Sequence, residues 1–302
     1  MKKRSLLAEP KKREGSMKKN KRNTKRILCI SVFAVLGIAL LLYELLLKRV
    51  LFTGLGEWEK GMTDMLITRL IGGGIFLTFT VYLGYRVLNP FTRPVGKNIL
   101  FILPALVIAV NNLPIIPLFR GLSSITSPAG KILLLLCECM AIGFFEEMAF
   151  RSVVMLGIME NKRRGKRDIV FAILISAAVF GLVHIVNVFI NPSVMVVLQI
   201  FYSAAIGAMC SVVLLLTRNV WACVMLHGLF NFMGALIGEC GEGRGFFEDP
   251  PTQILTAVIA LAVIGIYVWL FVKYDVSEAD GFYVENDENK NLDIKEDINE
   301  RN

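Results

Sequence analysis

Two adjacent carboxylates, Glu146 and Glu147, lie within the apolar run between Lys131 and Met159, and Arg151 follows the second by four residues. Ionisable side chains inside an apolar segment are costly to bury, so they mark candidate functional positions. On a helix, Glu147 and Arg151 are i, i+4 neighbours in the favourable order for an ion pair, whereas Glu146 projects about 100° away. We therefore expect Arg151 to hold Glu147 ionised, and Glu146 to face a cavity as a general base.

The only two histidines of the chain, His184 and His227, lie in neighbouring apolar segments. Phe180 precedes His184 by four residues and Asn231 follows His227 by four, so each pair shares a helical face. An imidazole can position or deprotonate a water, and a His–Asn pair can supply two donors to an oxyanion. These residue types predict hydrolysis by an activated water. The alternative is a network of polar side chains that only locks the helices together.

The elements that must position these residues are membrane spans. Hydrophobic residues make up 55% of the 302 positions and the mean hydropathy is +0.61, which is more apolar surface than one soluble core can bury. The sequence predicts an all-α, polytopic bundle of about eight transmembrane helices. The predicted spans are 27–47, 66–85, 98–118, 131–156, 168–190, 193–216, 219–238 and 252–273.

Loop charge predicts the orientation of these spans. Lys and Arg collect in alternate loops, most clearly at 161–167, and an even number of spans returns both termini to the cytoplasmic side. Three prolines predict that the third span is kinked or broken, and Gly72–Gly74 would let the second span approach a neighbour closely. The prolines are Pro104, Pro114 and Pro117.

Composition divides the chain into five regions. The basic stretch 1–26 and the acidic stretch 275–302 are predicted to be disordered cytoplasmic tails. Between them we predict N-terminal helices at 27–130, a catalytic core at 131–240, and a last outer loop with a final helix at 241–274. The basic tail is expected to contact anionic lipid rather than nucleic acid. The six cysteines suggest no disulfide framework.

Three short motifs in successive spans carry a family resemblance. They are EEMAFR at 146–151, FGLVH at 180–184 and HGLFN at 227–231. In this order they resemble the motifs EExxxR, FxxxH and HxxxN of the CPBP family (CAAX proteases and bacteriocin-processing enzymes), also called the Abi family, which includes the Rce1-type prenyl endopeptidases. The resemblance covers about 131–240 and implies a helical intramembrane peptidase.

The resemblance also implies a role for each residue. Glu146 would activate the attacking water together with His184, while His227 and Asn231 would stabilise the oxyanion of the tetrahedral intermediate. Glu147 and Arg151, with Phe180, would support the site.

Family members are often labelled metalloendopeptidases, so zinc is the cofactor to consider. A catalytic zinc needs about three protein ligands. Here these would be Glu146, His184 and His227, which would leave no separate base, and the chain has no HExxH motif. We therefore expect a metal-independent glutamate mechanism, with zinc as the alternative.

The expected substrate is a short peptide or a lipidated, membrane-tethered peptide. The expected location is the lipid bilayer of a bacterial plasma membrane, with a role in peptide maturation or bacteriocin self-immunity. Two other classes stay open: a non-catalytic scaffold or immunity protein that keeps the motifs as an interhelical network, and a transporter.

Overall fold

The structure, a computed structural model, describes residues 54–89, 91, 93–162, 165–190 and 193–283, with scattered positions between 23 and 39. The chain divides into two compact units, Met1–Leu55 and Gly56–Asn302. In the first unit the described positions between 23 and 39 are helical. Most of the predicted span 27–47 lies outside the described residues, as do most of the basic tail and residues 284–302 of the acidic tail. Every candidate site residue belongs to the second unit.

The second unit is a bundle of helices with one small sheet. Its α-helices are α1 (Glu57–Tyr82), α2 (Val95–Asn111), α3 (Ile115–Phe119), α4 (Ala129–Glu147), α5 (Leu156–Lys162), α6 (Lys166–Val183), α7 (Val186–Ile190), α8 (Val194–Thr217), α9 (Val220–Cys240) and α10 (Pro250–Val272). A π-helical segment, Met148–Met155, joins α4 to α5 without a break. Two short 3₁₀ helices, Phe246–Glu248 and Val276–Phe282, flank α10. Strands β1 (Ser123–Ile125) and β2 (Gly241–Gly243) pair antiparallel, with Ser124 opposite Glu242.

Five helices among the described residues are long and apolar enough to cross a membrane. They are α1, the α6–α7 segment Lys166–Phe189, α8, α9 and α10, while α2 is shorter. Apolar side chains of α10 such as Ile254, Leu261 and Val268 are exposed, as expected of a face that contacts lipid tails. The predicted all-α membrane bundle is confirmed, and the total of eight spans stays a prediction.

The predicted third span is interrupted. Helix α2 ends at Asn111 and α3 begins at Ile115, so the break falls at Pro114. Proline has a fixed φ and no backbone N–H, which explains why a helix ends there. Pro104 lies inside α2 without ending it.

Helix α2 is tied to α10 beside Pro104 by a tyrosine. The hydroxyl of Tyr267 donates a hydrogen bond to the Phe101 carbonyl (2.9 Å) and accepts one from the backbone N–H of Ala105 (3.1 Å). Phe101 and Ala105 are four residues apart, so the hydroxyl is inserted where a helical backbone hydrogen bond would otherwise form. The inserted hydroxyl satisfies two backbone groups that have no water around them in a bilayer.

Replacing Tyr267 by phenylalanine is expected to destabilise the bundle by about 1–3 kcal/mol, because two buried polar groups lose their partner. The measurement is thermal or denaturant unfolding in detergent, compared with the wild type. Tyr202→Phe removes a hydroxyl from an exposed side chain and is the control. Equal stability of both variants would contradict the proposed insertion.

The start of the predicted acidic tail is ordered, which differs from the sequence prediction. Residues Val276–Phe282 form a 3₁₀ helix, and Phe282 and Tyr283 are buried. The hydroxyl of Tyr283 donates to the Leu156 carbonyl (3.0 Å), and Glu278 forms ion pairs with Arg93 and Arg218. Composition alone does not reveal this ordered segment, because Phe282 and Tyr283 are followed by a long acidic, Asn-rich stretch.

Candidate active site

The site forms where α4 packs against α1 and α9, and where α6 packs against α8. Glu146 and Glu147 are the last residues of α4, and Arg151 lies in the π-helical segment that follows. His184 caps the C-terminal end of α6. His227 and Asn231 lie one turn apart in α9. The predicted residues thus come from three separate helical parts of the chain.

Glycines bring α4 and α9 close enough for their side chains to meet. A Cβ atom at Gly143 would lie 2.8 Å from the backbone nitrogen of Gly228, and one at Gly228 would lie 3.0 Å from Cα of Met140. Such distances mean that the two backbones touch, as is common for small residues between membrane helices. Gly228 follows His227 directly, so this contact places His227 beside the glutamates. On the other side of α4, Gly72 and Gly73 of α1 pack against the Phe145 and Phe144 rings.

His227 lies between the two carboxylates. Its Nδ1 is 2.7 Å from Oε1 of Glu147, and its Nε2 is 3.3 Å from Oε2 of Glu146. An ionised carboxylate only accepts hydrogen bonds, so Nδ1–H of His227 donates to Glu147, while Nε2 lies within ion-pair distance of Glu146. The His227 side chain is 5% exposed and that of Glu146 is 15% exposed. The Glu146 side chain is therefore more exposed than the His227 ring that it faces.

Glu147 and Arg151 form a buried ion pair. Nε of Arg151 lies 3.0 Å from Oε2 of Glu147, and both side chains are fully buried. The guanidinium carbon of Arg151 lies 4.6 Å from the centroid of the Phe180 ring, within range of a cation–π contact. Neither Nη1 nor Nη2 has a hydrogen-bond partner among the described residues. Glu147 thus accepts from His227 with one oxygen and faces Arg151 with the other.

Phe180 connects the two histidines. Its ring centroid lies 5.2 Å from that of His184 and 5.6 Å from that of His227, and both contacts are edge-to-face. Phe180 is 1% exposed, and Phe150 packs on it from the π-helical segment. Because one rigid ring touches both imidazoles, their relative position is set by packing.

The tautomer of His184 follows from its backbone contact. Nδ1 lies 2.9 Å from the carbonyl oxygen of Phe180, and a carbonyl can only accept, so Nδ1 carries the proton. In the neutral ring this leaves the lone pair on Nε2, which can accept a hydrogen bond from water. His184 is half-buried.

Asn231 is half-buried on the same face of α9 as His227. It makes no hydrogen bond to any other described residue, and no hydrogen bond or ion pair joins Glu146 to His184 in the described part of the chain. The structure thus brings together Glu146, Glu147, Arg151 and His227 directly. Phe180 links His184 to them, and Asn231 lies one turn away.

The π-helical segment is held by α6. In a π-helix each backbone N–H bonds to the carbonyl five residues earlier. The turn is therefore wider than in an α-helix, and the carbonyls lose their usual α-helical partners. The hydroxyl of Ser176, fully buried in α6, donates to the carbonyl of Phe150 (2.9 Å). Ser176 lies one turn before Phe180, so one helix face both supports the segment that carries Arg151 and supplies the aromatic ring beneath it.

Zinc stays the alternative to a metal-independent site. A metal-binding histidine commonly donates its second ring N–H to a carboxylate, and Nδ1 of His227 faces Glu147 while its Nε2 faces Glu146. In the described part of the chain, no three His, Cys, Asp or Glu side chains are grouped so that they could hold a metal ion. Binding zinc would therefore require Glu146, His184 and His227 to move together.

Sequence reasoning missed Ser176 and Gly143, which belong to none of the three motifs, and Gly228, which occupies a variable position of the HGLFN motif. The glycines carried a signal nonetheless. Glycine inside a helix is less favourable than alanine, so its presence in the middle of an apolar span indicates a close backbone approach. Ser176 gave no such signal, since a serine in an apolar helix can bond to its own backbone.

Comparison with known families agrees with the three motifs. Residues 128–233 match the family model described as type II CAAX prenyl endopeptidase Rce1-like. No curated protein and no solved structure matches the chain. The matched segment begins just before α4, ends within α9, and contains every predicted site residue. This match and the three motifs together support the resemblance of the segment to Rce1-like membrane proteases.

Proposed function

We propose that this protein is an intramembrane endopeptidase that hydrolyses a peptide bond with a water activated by Glu146. The observation that supports it best is the position of His227, whose two ring nitrogens face Glu146 and Glu147 inside a helical bundle. Ionised groups are expensive in a bilayer, and a site that pairs an accessible carboxylate with an oriented imidazole suits acid–base chemistry.

In the first step, Glu146 takes a proton from water while the water oxygen attacks the substrate carbonyl carbon. The lone pair on Nε2 of His184 accepts the second hydrogen of this water and orients it. The carbonyl π-bond breaks and its electrons move to the oxygen, which becomes an oxyanion. Nε2–H of His227 and the side-chain amide of Asn231 donate hydrogen bonds to that oxyanion.

The contact between His227 and Glu146 supplies a switch for this step. Before the reaction, Nε2 of His227 lies 3.3 Å from the Glu146 carboxylate. When Glu146 gains a proton it loses its charge and becomes a weaker acceptor. Nε2–H is then available to the oxyanion, which develops at the same moment. The intermediate collapses when Glu146 returns the proton to the leaving nitrogen, so the C–N bond breaks and Glu146 is regenerated.

Glu147 and Arg151 keep His227 in the required orientation. Glu147 accepts a hydrogen bond from Nδ1–H of His227, as the buried carboxylate of a catalytic triad does from its histidine. Arg151 balances the charge of Glu147 from the other side. The pair therefore acts on the reaction through His227.

The proposed substrate is a short peptide or a membrane-tethered, lipidated peptide, and the proposed location is a bacterial plasma membrane. Maturation of secreted peptides and bacteriocin self-immunity are the roles that suit such a substrate. The test uses purified protein in liposomes and one peptide sequence in two forms, with and without a prenylated cysteine near its C-terminus. Mass spectrometry should detect two new termini in at least one form. Intact peptides in both forms, and across a library of apolar sequences, would overturn the proposal.

The proposed mechanism needs no metal, so prolonged chelation is expected to leave the hydrolysis rate unchanged. The rate is measured on the liposome-reconstituted protein before and after dialysis against EDTA and 1,10-phenanthroline, and the metal content is measured in parallel. A loss of rate that zinc restores and magnesium does not would contradict this prediction. It would mean that His227 leaves the two glutamates to bind the ion.

A further inference from the structure

Gly207 lies in the interior of α8 and is buried, and it belongs to none of the three motifs. A Cβ atom at this position would lie 2.9 Å from Nη2 of Arg151 and 3.0 Å from Cδ1 of Phe180. The next neighbour is Cα of Ala177, at 3.4 Å. The side chains of two site residues therefore rest directly on the Gly207 backbone.

These two side chains reach the rest of the site. Arg151 forms an ion pair with Glu147, which orients His227. The Phe180 ring contacts both His184 and His227. Arg151 and Phe180 also pack on each other. A displacement at Gly207 would consequently pass to both histidines.

Packing fixes the outer end of the Arg151 side chain. Only Nε approaches Glu147, while Nη1 and Nη2 have no hydrogen-bond partner among the described residues. The guanidinium is thus held between the face of Phe180 and the bare backbone of Gly207. A rigid planar group held this way transmits small shifts, since protein interiors have little free space.

We propose that Gly207 is a positioning residue of the active site, where its missing side chain sets the place of Arg151 and Phe180. The proposal rests on the proposed peptidase function. Alanine would be the better residue for the helix itself, so helix propensity alone does not explain glycine at this position.

The test is Gly207→Ala. The new methyl group would push the guanidinium end and the Phe180 ring by a few tenths of an ångström, which the fold can absorb because no backbone clash is created. We expect kcat to fall on the order of tenfold at an unchanged KM, as expected for a small misalignment of reacting groups. Gly265→Ala is the matched control, because Gly265 is also inside a membrane helix but a Cβ there meets nothing within 4 Å. Wild-type kcat for Gly207→Ala would overturn the proposal.

A double-mutant cycle with Arg151→Lys separates positioning from a general loss of packing. Lysine has no Nη2 atom, so only the contact with Phe180 remains and the effect of Gly207→Ala on kcat should be smaller in that background. The same cycle is read by thermal unfolding, which does not require activity, and should show coupling of the same sign. Equal effects of Gly207→Ala in both backgrounds by both readouts would mean that it does not act through Arg151. Failure of the peptidase function itself is recognised separately, because the wild type would then hydrolyse no peptide.

Discussion

Replacing Glu146 by glutamine is expected to abolish peptide hydrolysis while the protein still folds and inserts. Glutamine keeps the size and shape of the side chain but cannot take a proton from water, and loss of a general base alone lowers rates about 10²–10⁴-fold. It also leaves Nε2 of His227 facing an amide instead of a carboxylate. The measurement is the rate of product formation in liposomes at matched protein content.

The matched control is Glu138→Gln. Glu138 lies in the same helix, two turns before Glu146, and is also buried. Glu138→Gln makes the same chemical change away from the histidines, so the hydrolysis rate of this variant should stay within a few-fold of the wild-type rate. If Glu146→Gln keeps full activity, water activation by Glu146 is wrong, and the network of buried charges is better explained as a scaffold.

Contacts within one helix were predictable from sequence because helical geometry is regular. The i, i+4 spacing placed Glu147 and Arg151 together, and the structure contains this ion pair. The break at Pro114 was predictable for the same reason, since proline acts on its own local backbone. The catalytic roles of these residues stay predictions.

Contacts between helices were harder to predict. Sequence reasoning paired Glu147 with Arg151 alone and Glu146 with His184, whereas both glutamates face His227 in the structure. The contact of both glutamates with His227 depends on how closely α4 and α9 pack, and the Gly143–Gly228 contact sets that distance. No periodicity within either helix encodes that distance. The insertion of Tyr267 beside Pro104 likewise joins residues far apart in the chain.

Segment composition misled the prediction at residues 275–283. Asp275, Glu278 and Asp280 suggested a solvated tail, but Glu278 pairs with Arg93 and Arg218 and the neighbouring aromatic residues are buried. A charged residue that finds partners on other loops is indistinguishable, in composition, from one that stays in solvent.

Replacing Arg151 by alanine is expected to lower the stability and the cellular abundance of the protein. Glu147 is fully buried, and without Arg151 its remaining partner among the described residues is His227, which donates a hydrogen bond to it. Removing one partner of a buried ion pair typically costs about 3–5 kcal/mol because the other charge is left uncompensated. The truncation also removes the group that packs on Phe180 and so leaves a cavity beside both histidines. Unfolding in detergent and protein content in isolated membranes measure the two effects.

Two further variants show whether the stranded charge is the cause. Arg151→Lys keeps the positive charge in a smaller side chain and should lose less stability than Arg151→Ala. The double variant Glu147→Gln with Arg151→Met carries neither charge and fills the space of the arginine stem, so its stability should recover relative to Arg151→Ala. Because the side-chain oxygen of glutamine can still accept a hydrogen bond from Nδ1–H of His227, the orientation of the imidazole is retained in that variant. If the double variant is as unstable as Arg151→Ala, lost packing against Phe180 is the main contribution of Arg151, and pairing with Glu147 is secondary.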